Sequence, residues 1–393
     1  MESQRLGDYI VCNPTVKLKK GQQCQLTDID SITIGQKYPI SKGLVIYDGQ
    51  SGSKFSKGDT IMARITPCLE NGKIAMYNGE EDSIGSTELF VFRGKEGVST
   101  NEFVYYFFKQ DWIRNYAANS MTGASGRQRA DIKFIQKAKV QFPPLATQQK
   151  VASILSAYDS QIENNQKRIK LLEQMAENLY KEWFVRFRFP DYENAEFEGG
   201  MPKGWTRCKL GDLIDFQNGF AFKSETFVPE GKYKVITIKN VQDGQFDSSN
   251  ADRVEDIPKG MPSYCKLSEG DILLSLTGNV GRVCHVIGDN MLLNQRVAKI
   301  KSSHSHFAYC MLRTPAMFAY LNMIAYGTAQ LNLSPIKAAN LKIIKPTESI
   351  MEAFDKVVAP LFSSVFNLYN QIDFLSSQRD LLLPRLISGK LSI

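Results

Sequence analysis

"SQIENNQKRIKLLEQM" occupies residues 160–175, and its reading decides the fold. It is rich in Gln, Asn, Lys and Glu, keeps an apolar beat, and contains no Gly or Pro. Outward from it, between Thr147 and Phe187, apolar side chains recur at Val151, Leu155, Tyr158 and Ile162, then at Ile169, Leu172, Ala176, Leu179 and Trp183. Steps of four and three alternate, which is a heptad seam rather than a broad globular face. Asn165 alone breaks the series. The spacing predicts a helix of about 40 residues, roughly 60 Å long. Burying about eight such side chains is worth on the order of 12–24 kcal/mol gross, so the seam needs a partner.

A second seam supplies one: Val358, Leu361, Val365, Leu368, Ile372, Leu375, Arg379, Leu382 and Leu386, with Leu368 standing where the first has Asn165. Two seams in one chain predict an antiparallel intramolecular coiled coil, with a buried Asn fixing register at some cost in stability. The same pattern also allows each helix to pack on its own domain, or two chains to pair. Pro360 and Pro384 interrupt the second seam and predict a kinked, shorter helix.

The chain is written twice. "RLGDYI" (5–10) returns as "KLGDLI" (209–214), and "KGDTIMARIT" (57–66) as "EGDILLSLTG" (269–278). From Phe103 onward an offset of 204 is expected to hold without a gap: Phe307 answers Phe103, Tyr309 answers Tyr105, Gly327 answers Gly123, Ile336 answers Ile132 and Lys337 answers Lys133. The fold class expected is α+β, a tandem duplication of two mixed domains each followed by a long helix. The boundaries read 1–145 for the first domain, 146–187 for its helix, 188–208 for a Gly-, Pro- and acid-rich linker, 209–347 for the second domain and 348–393 for the last helix.

Composition is that of a globular protein, 43% hydrophobic and 23% charged, with a formal net charge of +7. A mild basic excess is compatible with a polyanionic partner without requiring one. The start is too polar for a signal peptide, and no run of about 18 apolar residues predicts a membrane span. Seven scattered cysteines, none spaced as C-x-x-C, point to reduced thiols and a cytoplasmic location. Three histidines are too few for a His-rich metal site. No G-x-x-x-x-G-K-[ST] loop is present; "CNPT" (12–15) and "LSPI" (333–336) do not fit the element that holds a target amine in DNA methyltransferases, and no carboxylate cluster has nuclease spacing. No catalytic, cofactor-binding or metal-binding residue is expected.

The passages "VQFPPLATQQKVASILSAYDSQIENNQKRIKLLEQMAENLYKEWF" and "LKIIKPTESIMEAFDKVV", the linker "EGGMPKGWTRCKLGDLI" and the loop "YGTAQLNLSPIKAANLKI" closely resemble the specificity subunit of type I restriction-modification systems. The likeness spans essentially the whole chain. It implies that each half is a target-recognition domain reading one half of a split, asymmetric site on double-stranded DNA. The helices would set the spacing and dock two adenine-methylating modification subunits, and a restriction subunit would join. It implies no catalysis in this chain, with S-adenosylmethionine, ATP and Mg²⁺ bound by those partners. The competing readings are a fused restriction or modification enzyme, and a helical scaffold with no role on DNA.

Residues for DNA contact are drawn from loops. In "SMTGASGRQRADIK" (120–133) two glycines permit tight turns, and Arg127, Gln128 and Arg129 follow. Arg suits the guanine edge in the major groove and Gln the adenine edge. The second copy offers Gln330 and Asn332 and no arginine in that loop, which predicts a guanine-leaning first half-site and an adenine-leaning second one. Further candidates at turns are Arg64, Asn71 and Lys73 in the first copy, and Lys239, Asn240, Thr277, Asn279, Arg282, Gln295 and Arg296 in the second. The aromatic run "FVYYFFKQDWI" (103–113) reads as core, because the repeat replaces Phe107 and Phe108 with Met311 and Leu312.

Overall fold

The computed structural model describes residues 3–124, 126–327 and 330–391. The chain forms two compact units, one running up to Asn164 together with the residues from Asp373 onward, the other Asn165–Ile372.

Both units carry the same strand plan. In the first, Ile10–Cys12, Leu89–Gly94, Thr60–Ala63 and Ile74–Met76 lie side by side in that order, all antiparallel. A second sheet orders Leu44–Ile46, Gln23–Leu26, Ser83–Gly85 and Ser53–Phe55, with its middle pair parallel. The other unit repeats both. Asp215–Asn218, Val297–Lys301, Ile272–Ser275 and Val283–His285 form the antiparallel sheet. Asp252–Val254, Tyr233–Ile236, Met291–Leu293 and Lys266–Leu267 form the mixed one, again parallel in the middle. A two-stranded ladder closes each unit beneath its long helix, Gln4–Arg5 with Lys139–Val140 and Thr206–Lys209 with Lys342–Lys345. The duplication holds strand for strand.

The sequence echoes have local causes. The carboxylates of Asp59 and Asp271 accept the N–H of Ser56 and Ser268, each at 2.8 Å, closing the same turn. Each then pairs with a cation from a neighbouring strand, Arg93 at 2.6 Å and Lys299 at 2.7 Å. The aromatic run is core: Phe103 to Phe108 are all buried, and so are Met311 and Leu312. A ring at position 108 stacks on Phe92 with centroids 3.8 Å apart.

The unbroken offset of 204 is corrected by the backbone. Asp131 caps the helix Ile132–Gln136 by accepting the N–H of Lys133, and Ser334 caps Pro335–Ala339 by accepting that of Lys337. Leu6 donates to the carbonyl of Ala138, and Leu210 to that of Leu341, both at 2.8 Å. These pairs align Asp131 with Ser334 and Ala138 with Leu341, so the preceding loop is one residue shorter in the second copy. The identities Ile132/Ile336 and Lys133/Lys337 are coincidences of sequence.

The central helix runs Leu145–Tyr180, extended by a π-helical turn over Lys181–Val185, and the C-terminal helix runs Glu348–Ile387. In the first unit Arg379 reaches Asp159 at 2.6 Å, and Leu383 and Leu386 share a core with Val151 and Leu155. In the second, Val365 and Leu368 pack with Ile169, while Phe354 and Val358 pack with Ala176 and Trp183. Lower numbers face higher ones in both, so the pairing is antiparallel. Each helix also joins the core of the sheets beside it, because the same buried side chains face both.

The marked shortening expected of the second helix does not occur: it has 40 residues, against 36 in the first before that helix's 5-residue π-helical turn. Pro360 and Pro384 are both exposed. The carbonyls four residues earlier belong to the exposed residues Lys356 and Asp380, so the missing N–H strands no acceptor in the core. Buried neighbours on the other face, Val358 and Phe362 at one proline and Leu383 and Leu386 at the other, keep the chain helical.

Candidate nucleic-acid interface

In the first unit, Thr122 and Arg129 exchange backbone hydrogen bonds of 3.1 and 3.0 Å across a loop that turns at Gly123 (φ 124°) and Gly126 (φ 78°). The loop is stitched to the end of strand Thr60–Ala63. Thr66 donates to the carbonyl of Gln128, Thr66 Oγ1 accepts the N–H of Gln128, and Ala130 donates to the carbonyl of Arg64. Arg64, Asn71, Lys73 and Arg127 to Arg129 are thereby gathered at one end of the antiparallel sheet.

Their side chains differ in availability. Arg127 and Asn71 are exposed. Arg129 is exposed but forms a fork with Glu88, whose oxygens lie 2.6 to 2.9 Å from its nitrogens; that pairing holds the Glu88 carboxyl below the ordinary range. Arg64 lies over the Phe90 ring at 5.0 Å, with its Nε buried and without a hydrogen-bond partner. Lys73 donates to the carbonyl of Ile29 at 3.0 Å. It is anchored, not reaching.

The second unit uses the same frame. Tyr326 and Asn332 exchange backbone bonds of 3.0 and 2.8 Å, Gly278 donates to the carbonyl of Leu331, and Leu333 to that of Leu276. The alignment this imposes sets Gln330 opposite Arg127, Leu331 opposite Gln128 and Asn332 opposite Arg129. Leu276 also donates to the carbonyl of Arg296, as Arg64 does to that of Glu88. An acid in one unit and an arginine in the other therefore occupy one structural position.

Arg296 and Gln295 are exposed beside the loop, so the second cluster gains an arginine from a neighbouring turn although its loop has none. Arg282 hydrogen-bonds Gln242 and so brings the Lys239 turn alongside. Lys239, Asn279 and Gln330 are exposed. Three candidates are spent internally. Asn240 is buried, accepting from the backbone and hydroxyl of Thr237 and donating to the carbonyl of Asp247. Buried Thr277 donates to Asn332 Oδ1 at 2.9 Å, and Asn332 donates to the carbonyl of Gln330 at 3.0 Å. These residues shape the turn that presents Gln330.

Sequence reading missed Glu88 and Gln242. Each lies some forty residues from the arginine it holds, with no local pattern to link them. Among the described residues no group of three or more His, Cys, Asp or Glu side chains is placed to hold a metal ion, and no helix is long and apolar enough to cross a membrane.

The chain is 28% identical over 313 residues to the type I restriction enzyme MjaIX specificity subunit of Methanocaldococcus jannaschii, covering 76% of this chain and 71% of that one. It is 24% identical over 409 residues to the HindI specificity subunit of Haemophilus influenzae, covering 87% and 88%. In fold it matches the crystal structure of a type I restriction-modification system S subunit from M. genitalium with a TM-score of 0.54, at 14% identity over 98% of this chain and 95% of that one. The profile of the type I restriction modification DNA specificity domain matches twice, over residues 1–174 and 202–372. With both of its halves so matched, the chain belongs to the specificity-subunit family of type I restriction-modification systems.

Proposed function

We propose that this chain is the non-catalytic reader of a type I complex, in which each unit reads one half of a bipartite, asymmetric site on double-stranded DNA. The carrying observation is the pair of loop clusters: one backbone frame presents Arg127, Gln128 and Arg129 beside Glu88 in one unit, and Gln330, Leu331 and Asn332 beside Arg296 in the other. A fixed frame with exchanged polar tips is what two different half-sites require, since base edges are told apart by the donors and acceptors set against them. Exposed Arg127 and Arg296 are assigned to bases or phosphates directly, and Lys239, Arg282 and Gln295 to the flanking backbone. Arg129 reaches a guanine only by releasing Glu88, which gives that position a built-in competitor.

The paired helices would dock two methyltransferase subunits and set the spacing, with a restriction subunit added. S-adenosylmethionine, ATP and Mg²⁺ would act in those partners. Mapping methylated adenines in cells that express the chain with its methyltransferase tests this. The expected result is two unlike half-sites at one fixed separation, with Arg127→Ala changing only one of them. Methylation of a single continuous motif, or of a motif indifferent to variants in both clusters, would refute it.

A further inference from the structure

A cavity of about 440 Å³ lies in the first unit, between the aromatic helix Asn101–Lys109 and the end of the C-terminal helix, and adjoins the loop cluster only at Gly72. Two donors on its wall have nothing to donate to: Lys109 Nζ and the hydroxyl of Tyr105 are buried and without a hydrogen-bond partner. Tyr105 is fully buried, and the ammonium of Lys109 lies 5.9 Å from its ring centre. Leaving such groups unpaired away from water is costly.

The other cations around them each have a hydrogen-bond partner. Arg114 pairs with Asp111. Arg379 pairs with buried Asp159 at 2.6 Å and with Asp380 at 2.9 Å. Lys37, also 5.9 Å from the Tyr105 ring, donates to Ser156 at 2.9 Å. Lys109 is left as a surplus positive charge facing the cavity. Burial, opposed by Asp159 and Asp380 and reinforced by Arg379 and Lys37, brings its ammonium down to about 8. The remaining wall carries Gln36 and Gln110 and an apolar side made by Ile34, Ile74, Trp112 and Leu383.

We propose that this cavity binds a carboxylate carried on a compact apolar body, its oxygens accepting from Lys109 Nζ and Tyr105 Oη and its body lying against Trp112 and Leu383. A negative charge offsets the unpartnered ammonium of Lys109, and a carboxylate accepts without demanding an acceptor in return. The source is either a free organic acid or an acidic side chain of a partner protein.

The test is calorimetric titration of the full chain with benzoate and with its neutral isostere benzamide. Benzoate is expected to bind saturably, with benzamide at least about tenfold weaker and Lys109→Met reducing benzoate affinity by about tenfold or more. Tyr105→Phe is expected to weaken benzoate and leave benzamide unchanged. A crystal of the unaltered chain soaked in bromobenzoate decides the matter even if the variants do not fold, through a bromine peak inside the cavity. Equal binding of the two probes, no binding, undiminished benzoate affinity in Lys109→Met, or bromine only elsewhere overturns the proposal. Displacement of benzoate by the methyltransferase subunit would identify a protein carboxylate as the source, and retention in the complex a free acid.

Discussion

The two units share their strand order and the hydrogen bonds that hold their loops, yet their helix seams are made of different material. In the first, Tyr106 donates to buried Asp159 at 2.5 Å, Asp159 accepts from Arg379 at 2.6 Å, and Lys37 is buried close by. In the second, the corresponding stretch is Ile169, Val365 and Leu368, followed by Tyr180, Trp183, Phe354 and Phe362. A duplicated fold therefore tolerates a charged seam in one copy and an aromatic one in the other. What has to be common is the strand frame and the direction of the helices, not the chemistry that glues them.

That difference gives the largest expected effect. Asp159→Ala takes from Arg379 its buried partner, leaves it only the exposed Asp380, and should cost about 3 kcal/mol, the low end for breaking a buried pair. Leu368→Ala in the other seam should cost about 2–5 kcal/mol by opening a cavity. The two are separated by rescue: replacing Asp159 and Arg379 together with Leu and Met should restore stability, because a well-packed apolar pair matches a buried ion pair. Denaturant unfolding measures all of these. A loss of only about 1 kcal/mol in Asp159→Ala would mean that the first seam is wet and that the contrast is false.

The second unit carries a titrating group where the first has Met76. His285 pairs across from Ile272, lies against Tyr309 with ring centres 3.7 Å apart, and burial pushes it down to about 3. Its folded value is depressed, so between about 6.5 and 3 the unfolded chain takes up a proton that the folded chain refuses. Stability should fall as pH drops through that window, with a slope approaching about 1.4 kcal/mol per pH unit from this group. Buried Glu173, raised to about 7, acts in the opposite sense between its ordinary range and neutrality, so the wild-type curve alone is ambiguous. The difference between wild type and His285→Phe is not. Parallel curves for the two would show His285 to be hydrated.

The seams, the duplication and the identity of the aromatic run as core were all legible in the sequence, because periodicity reports burial directly. The proline-bearing helix was misjudged because propensity knows nothing of which face is wet. Pro360 and Pro384 fall on the solvent face, where a lost N–H is cheap. The register error at Ile336 arose because two identities can align by chance, while the cap at Ser334 and the carbonyl of Leu341 cannot. For the interface, loop residues were found but not their state. Whether Arg129 or Arg127 is the free guanidinium depends on Glu88, and Asn240 and Thr277 read as exposed tips until their buried partners are seen.

The loop clusters set the next effects. Arg127→Ala and Arg296→Ala should each lower discrimination at one half-site only, by about 1–3 kcal/mol if the contact is to a base. If the contact is to phosphate, all sequences should weaken together and the logarithmic salt slope should shrink by about 1. Glu88→Ala should tighten binding at the first half-site by freeing Arg129, with no counterpart in the second unit, where Arg296 already occupies that position. Fluorescence anisotropy on duplexes altered in one half at a time separates these outcomes. Unchanged binding in Glu88→Ala would place Arg129 outside the interface.

The smallest effect sharpens the comparison most. Asn165 is fully buried in a seam whose other members are apolar, and its amide donates to Gln371 at 3.1 Å. The other helix carries Leu368 at the matching place in its heptads. Gln371 is exposed and can turn to water once Asn165 is replaced by Leu. The substitution should therefore raise stability, by about 1 kcal/mol, at the expense of uniqueness: a polar core residue excludes registers and partners that an all-apolar seam would accept. Light scattering should then reveal oligomers absent from the wild type, or disulfide trapping should reveal a second register. A destabilised variant that keeps a single register would show that Asn165 supports the fold itself, and that this seam too depends on a polar contact, as the first does on Asp159.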